Sequence, residues 1–398
     1  MKIGLVIDDR INRPGGVQEY VLGLADYLTG HGHEPVIFTS GDYTPKQKKK
    51  RRIITFGQTF DLPGDSQKGI PLTFGQGEKI RKVLRKEKPE ILHIQGPPGP
   101  LGINFLQNSH SLNIMTFHVA HEVFLADLII KHFSPLWKKF DQRLEARIAI
   151  SKVAADYARR FSPGPFKIIP IGVDLQRFCP QAPKIVKFKD GKVNLLFVGR
   201  LDKRKGIEYL LKAYQHLFRI EPKVRLIIIG DGPEKKKAMD YVREEKLKEV
   251  VFTGYIPSRD LASYYATADL FCSPATHGES LGVVLLEAMA AGLPVVAFDN
   301  LGYQDVFPDF ARGFLVPKRN VSALTQALLI LVTNPGLRRE LGQKNRRYVK
   351  RFAWEKVGQE VLAVYYNCIK GRNFDPQLPR NFGGVAKRRK KPIPVRSG

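Results

Sequence analysis

The chain is poor in cysteine. Cys179, Cys272 and Cys368 are odd in number, far apart and without a Cys-x-x-Cys. That excludes a disulfide framework and a zinc ribbon, and it fits a reducing cytoplasm. Long apolar runs are missing as well. The opening "MKIGLVIDDR" has one lysine and a short apolar run, less than the roughly 7 to 15 residues of a signal-peptide core. The most apolar stretch, "GVVLLEAMAAGLPVVAF" at 282–298, is broken by Glu287 and Pro294 and reads as a buried helix and strand, not a membrane span. Acidic residues are outnumbered, Asp+Glu 38 against Lys+Arg 65, for a net charge of +27. Such a surplus favours polyanionic partners: nucleic acid, anionic lipid or a phosphorylated ligand. Much of it is local, in "KQKKKRR" (46–52) and in "KRRKK" (387–391), the latter within a Pro/Gly-rich tail, 373–398, of disordered composition. There is no helix-turn-helix, zinc finger or RNP-like aromatic strand, so no specific nucleic acid is expected as a partner.

Familiar cofactor motifs are absent too. "PGGVQ" (14–18) is not G-x-G-x-x-G, and "VIFTSGD" lacks the acidic residue that a nicotinamide cofactor needs about 20 positions on. His110, His118, His121 and His132 do not form a zinc motif, because "HEVFL" has Leu125 where H-E-x-x-H needs its second ligand. No metal is expected.

What the sequence does contain is a long alternation of short apolar runs and amphipathic helices, the pattern of parallel sheets wound by crossovers. The first unit is a strand at 2–8, the Gly-Gly turn, a helix with Val17, Tyr20, Val21, Leu24 and Leu28 on one face, and the strand "EPVIFTS". Further strands are expected at 90–94, 113–117 and 147–151, and "PQAPKIVKFKDGK" reads as a linker. A second series starts at "VNLLFVGR" and runs through "VRLIIIGDGPE", "VVFTGY", "ADLFCSP" and "LPVVAF". The expected architecture is α/β: two Rossmann-like domains, 1–182 and 192–350, and a helix within 351–372 placed to cross back to the first. Ligands of such folds sit at strand carboxyl ends, here in an interdomain cleft.

"PGGVQ", "GRLDKRKG", "GDGPE" and "HGESLGVVLLEAMAAGLPVVA" together resemble the retaining GT-B glycosyltransferases of family 4, over roughly residues 1–370. The most specific part is Glu279 followed by Glu287 in a small-residue helix ending in Gly-Leu-Pro. The resemblance implies an N-terminal acceptor domain, a C-terminal nucleotide-sugar domain, and hexose transfer to a hydroxyl with retention. The nucleotide sugar is then a substrate, and no cofactor is expected. The absence of any Asp-x-Asp argues against the metal-dependent GT-A class.

Each residue has its own reading beside that resemblance. Gly-Gly at a helix start is either a tight turn or an anion site, because the first helical N–H groups are unpaired and the macrodipole favours negative charge. The resemblance sets Gly16 against a diphosphate. Gly199 and Arg200 end a strand and Lys205 stands at a helix start, so the two cations either hold a leaving diphosphate or are exposed loop charges; Arg204 is an alternative to Lys205. Glu279 and Glu287 are eight apart, an offset of roughly 80° on a continuous helix, so they are not expected to act as one pair. By resemblance Glu279 faces the donor sugar, and Glu287, a charge in an apolar helix, receives the ribose hydroxyls. Backbone amides of Leu281, Gly282 and Val283 would add phosphate donors. His118 follows the strand "NIMTF" and by resemblance contacts the transferred sugar. No carboxylate pair suited to a glycosyl-enzyme intermediate is evident, so the family's front-face substitution is expected.

Among the family, phosphatidylinositol mannosyltransferases are most similar, on "PGGVQEYVLGLADYLTGHGHEP", "LHIQGPPGP", "TFHVA" and "IPIGVD". Gln18 falls where they contact the acceptor headgroup. Two departures are "FHVAHE", in place of a hydroxyl-rich segment, and Leu281, where phenylalanine is commoner. GDP-mannose and a lipid acceptor are the first expectation. A UDP-sugar enzyme for glycan or cell-envelope polysaccharide is the alternative, and a basic polyanion-binding protein without catalysis the alternative of another class. The segment "EKIRKVLRKEKP" (78–89) sets an apolar stripe of Ile80, Val83 and Leu84 among Lys79, Arg81, Lys82, Arg85 and Lys86. It reads either as an ordinary crossover helix or as a basic amphipathic helix docking on anionic membrane. The second would make the protein peripheral on the inner face of the plasma membrane.

Overall fold

Runs such as Ile3–Ile7 and Leu226–Ile229 are apolar on both faces, so both sides of the strand must be covered, and parallel sheets flanked by helices achieve that. The computed structural model describes residues 1–371 except 14, 42–50, 63–64, 73–74, 97–98 and 119–136. The basic run at 46–50, the tail 373–398, His121 and His132 lie outside the described residues.

The N-terminal strands are β1 (Lys2–Ile7), β2 (Glu34–Ser40), β3 (Arg52–Phe56), β4 (Gln58–Leu62), β5 (Asp65–Leu72), β6 (Ile91–Gly96), β7 (Leu112–Phe117), β8 (Ala146–Ala149) and β9 (Lys167–Ile168). Their helices are α1 (Gly16–Gly30), α2 (Gly77–Glu87), α3 (Pro100–Asn108) and α4 (Lys152–Ala158). The second series is β10 (Val193–Val198), α5 (Ile207–Ile220), β11 (Val224–Ile229), α6 (Lys235–Glu244), β12 (Val250–Gly254), α7 (Ser258–Thr267), β13 (Leu270–Ser273), α8 (Val283–Ala290), β14 (Val295–Phe298), α9 (Leu301–Gln304), β15 (Leu315–Val316), α10 (Val321–Thr333) and α11 (Pro335–Tyr348). α12 (Trp354–Ile369) follows.

Two sheets result, ordered β3-β2-β1-β6-β7-β8-β9 and β12-β11-β10-β13-β14-β15. Every strand pair in both is parallel. The strand order reverses beside β1 and beside β10, and a ligand crevice opens at such a switch point. α1 leaves β1 and "GRLDKRKG" leaves β10, so both motifs stand at a switch. The fold is α/β with two Rossmann-like domains. The antiparallel β4–β5 hairpin, outside both sheets, is an addition the sequence pattern did not announce. The three cysteines are unpaired.

α12 returns to the N-terminal domain. Trp354 lies so close to α1 that a Cβ on Gly23 would sit 2.3 Å from its ring, so only glycine fits there. The Tyr365 hydroxyl meets His93 Nδ1 at 2.7 Å. The segment read as a linker is fastened to the second domain: Ile185 N donates to Thr267 at 2.8 Å, and Phe188 is buried. Arg346 of α11 donates to the carbonyls of Leu175, Phe178 and Ala290, gripping the crossing between domains.

α2 corrects one expectation. Ile80 and Leu84 are buried in the core and Val83 is half-buried, so the apolar stripe covers the sheet, as in an ordinary crossover helix, and does not face a membrane. Lys79, Arg81, Lys82, Arg85 and Lys86 are exposed. Lys79 donates to the Thr55 carbonyl, Arg81 to Asn108 and Lys82 to Glu78. Among the described residues no helix is long and apolar enough to cross a membrane.

Candidate active site

The two switch points open on one cleft of about 720 Å³ between the domains. α1 supplies its N terminus. The helix starts at Gly15 with no side-chain cap, so its first N–H groups are offered to whatever enters. The two glycines divide the work. A Cβ on Gly15 would fall 2.2 Å from Gln18 Oε1, a tight approach; one on Gly16 would meet nothing within 4 Å, because Gly16 borders the open cleft. Gln18 itself is buried and not part of the cleft wall. Its amide donates to Asp9 at 3.2 Å and to the Arg10 carbonyl at 3.4 Å.

The opposite wall is built by the loops after β10 and β13. Asp202 organises the first: it accepts from the backbone of Lys205 at 3.2 Å and from Arg204 at 2.9 Å, and stands 3.7 Å from Arg200 Nε. Gly206 then turns the chain into α5 at φ 68°, where a Cβ would lie 2.0 Å from the Pro274 carbonyl oxygen. Arg204 also donates to the Gly278 carbonyl and Thr276 N to the Arg204 carbonyl, so the two loops are laced together. Lys205 Nζ meets Glu279 Oε1 at 2.5 Å. Gly282, again left-handed, starts α8 with no side-chain cap, which leaves amides of the Leu281–Val283 turn at the cleft wall.

Glu287 lies one turn into α8 and lines the cleft. The Tyr265 hydroxyl donates to it at 2.8 Å. Burial pushes its carboxyl up to about 7, against the opposing effects of Tyr265 and Arg177 and with a smaller contribution from Glu19. His118 lines the same cleft from the N-terminal domain. Its Nε2 meets Gln95 Oε1 at 2.7 Å, and burial pushes the imidazole down to about 3, so the ring is neutral.

One side chain spans both domains beside this cleft. Arg177 pairs with Glu19 of α1 at 3.3 Å, donates to the carbonyl and hydroxyl oxygens of Ser258 at the start of α7, and stacks over Phe178.

The cleft therefore gathers Gly16, His118, Gly199, Arg200, Lys205, Glu279, Leu281, Gly282, Val283 and Glu287; of the expected residues Gln18 stands outside it and the five cations of α2 are not part of it. Sequence reading missed Asp202, Arg177, Tyr265 and Gln95. Asp202 had a signal, an N-cap residue three before Lys205. Tyr265 and Arg177 had none, since their partners are distant in the chain. Among the described residues no cluster of His, Cys, Asp and Glu is placed to hold a metal.

Two doubly wound domains, with cations and helix N termini converging from both on one cleft, define a GT-B transferase. Comparison with known proteins agrees. Residues 180–348 match the model "Glycosyl transferases group 1" and residues 14–177 match "Glycosyltransferase Family 4". The chain is 30% identical to phosphatidyl-myo-inositol mannosyltransferase of Mycolicibacterium smegmatis, covering 95% of this chain and 96% of that one. It is 25% identical to alpha-monoglucosyldiacylglycerol synthase of Streptococcus pneumoniae, over 96% and 89%. A crystal structure of a glycosyltransferase from Rickettsia africae superposes with a TM-score of 0.75 at 18% identity, covering 93% and 98%. The chain belongs to the GT-B glycosyltransferases built from family 4 and group 1 domains.

Proposed function

We propose that this glycosyltransferase moves a mannosyl group from GDP-mannose to a hydroxyl of a phosphatidylinositol-type lipid at the inner face of the membrane, with retention at the anomeric carbon. The observation that carries the reading is the convergence of Arg200, Lys205 and the uncapped start of α1 on one cleft, with 30% identity over nearly the whole chain to an enzyme named for this reaction.

In this reading the α1 amides at Gly16, the amides after Leu281, Arg200 and Lys205 hold the diphosphate as its charge grows. Removing one preorganised donor of that kind raises the barrier by about 3 to 4 kcal/mol. Glu287 accepts the ribose hydroxyls, Glu279 and His118 contact the sugar, and the departing phosphate takes the acceptor proton on the same face. Because cations and helix termini supply the charge, no metal is required, and chelator leaves the rate unchanged. Gln18 reaches an acceptor only if its contacts to Asp9 and Arg10 open.

A second reading, transfer of a glucosyl group from a UDP-sugar to a glycerolipid, is favoured by the 25% identity to alpha-monoglucosyldiacylglycerol synthase. Release of nucleoside diphosphate from GDP-mannose and from UDP-glucose, each with phosphatidylinositol or diacylglycerol vesicles, separates the two. Thermal shift with GDP, UDP and ADP gives the base independently, since a ligand at about 100 times its Kd adds roughly 2.7 kcal/mol. No turnover and no shift with any nucleotide would refute both readings.

A further inference from the structure

The face of the first sheet beneath α1 and α12 carries a buried polar ladder that continues into the cleft. Successive strand residues alternate between faces, so His93 and Gln95 share one face of β6, and Gln95 stands opposite Thr116 of β7. From α12 inward, the Tyr365 hydroxyl meets His93 Nδ1 at 2.7 Å, and His93 Nε2 meets the Thr116 hydroxyl at 2.6 Å. The Gln95 amide nitrogen donates to the His93 carbonyl at 3.4 Å, and its oxygen faces His118 Nε2 at 2.7 Å. Gln95 and His118 are 4% and 5% exposed. The edge of Tyr20 closes the other side of the imidazole, with ring centroids 4.9 Å apart.

Which nitrogen of His118 carries the proton follows from these contacts. An amide has one acceptor end and one donor end, and the donor end of Gln95 is directed at the His93 carbonyl. Its oxygen is therefore the end presented to His118, so Nε2 must bear the hydrogen. A neutral imidazole has one N–H, so Nδ1 is a bare lone pair. That atom is buried, and among the described residues it has no hydrogen-bond partner. A buried acceptor without a donor destabilises the fold, and here it belongs to a ring that lines the cleft.

We propose that Gln95 is a positioning residue that locks His118 in the Nε2–H tautomer, so that Nδ1, buried as it stands, is the nitrogen left to accept a hydrogen bond when a hydroxyl of the bound sugar reaches it. The inference rests on the reading that His118 contacts the transferred sugar. The His93 carbonyl, a fixed backbone acceptor within β6, keeps the amide from turning over.

The test uses the full-length protein with ring-15N-labelled histidine and long-range proton–nitrogen spectra, the His118 signals being assigned with His118→Gln. Wild type without ligand should show His118 Nε2 as a protonated, pyrrole-type nitrogen and Nδ1 as an unprotonated, pyridine-type one. Gln95→Met, similar in volume but without the oxygen, should lose the single tautomer and lower kcat at least tenfold while KM for the nucleotide sugar changes less than threefold. Gln95→Glu loses the donor to the His93 carbonyl and sets a carboxylate against the ring, so it should convert His118 to the doubly protonated form and lower kcat as the methionine variant does, and it also serves if that variant does not fold. A wild-type spectrum with Nδ1 protonated overturns the proposal, and so does a folded Gln95→Met protein with unchanged tautomer and kcat. The spectra need no turnover, so they decide the tautomer even where no nucleotide sugar is consumed, an outcome that counts against the functional reading alone.

Discussion

Lys205 and Glu279 are paired directly, Nζ to Oε1 at 2.5 Å, with side chains 17% and 10% exposed. The cation assigned to the diphosphate thus begins in contact with the carboxylate assigned to the sugar, and a diphosphate must compete with Glu279 for it. Removing one partner of a shielded pair leaves the other charge uncompensated. Lys205→Ala should lower kcat/KM by about 10² to 10³. Glu279→Gln should lower kcat while tightening the binding of nucleoside diphosphate, because a competitor for Lys205 is gone. Calorimetry on the two single variants and the double variant checks this. Weaker diphosphate binding by Glu279→Gln would refute the competition.

Glu287 gives a pH dependence with a definite sign. Its carboxyl is raised to about 7 from an ordinary 4.5, chiefly by burial. Below pH 4.5 it is protonated in folded and unfolded chains alike, so the neutral form's advantage in the fold is fully present. Between pH 4.5 and 7 the unfolded chain ionises first, and this contribution to stability falls as pH rises. Donor binding should run the other way, since an ionised Glu287 accepts both ribose hydroxyls. KM for the nucleotide sugar should fall between pH 6 and 8 in wild type, while Glu287→Gln should show a raised KM that is flat over the same range. Parallel pH profiles for the two proteins would remove Glu287 from the donor site.

Both Rossmann-like domains were legible because their strands carry apolar runs such as "LIII" (226–229), followed by glycine and a helix. The donor loops were legible because their chemistry is local in the chain: Arg200 and Lys205 lie in one, and Glu279 with the helix start at Gly282 lies in the other. The β4–β5 hairpin was not, since "QTFDL" and "DSQKGIPL" mix polar and apolar residues without clean alternation. α2 was ambiguous for a physical reason: a stripe of Ile80, Val83 and Leu84 suits a sheet as well as a bilayer, and only the packing decides. Arg177, Tyr265 and Gln95 were invisible because each acts on a residue brought near by folding alone.

Arg177 links Glu19 in one domain to Ser258 in the other. A half-exposed ion pair is worth little by itself, about 0.2 to 1 kcal/mol, but this one joins the two domains that line the cleft. Arg177→Ala should raise KM for the nucleotide sugar about threefold to tenfold with little change in kcat, and should increase the radius of gyration of the ligand-free enzyme in solution scattering. Arg177→Lys keeps the charge but loses the forked geometry, and should recover only part of the effect. An unchanged scattering profile with normal KM would show that the clasp does not govern closure.

The five exposed cations of α2 remain the candidate contact with anionic lipid, even though the apolar stripe beneath them is occupied by the core. Contact through charge alone differs from insertion in ways a vesicle assay resolves. Each cation near an anionic surface contributes about 1 kcal/mol, so changing Arg81, Lys82, Arg85 and Lys86 to Ser should weaken co-sedimentation with phosphatidylserine-containing vesicles by on the order of 10²-fold or more. Added salt should weaken wild-type binding in the same direction, because exposed charges are screened over about 8 Å at 0.15 M. Ile80→Ala separates the two modes. Ile80 is fully buried, so its truncation should cost about 2 to 5 kcal/mol of stability and leave vesicle affinity unaltered at temperatures where the variant is folded. Were the stripe the lipid contact, the same change would weaken binding with little loss of stability. A chain ending at Gly371 completes the set: if it alone fails to sediment while the serine variant binds as wild type, the basic tail is the anchor and α2 is not.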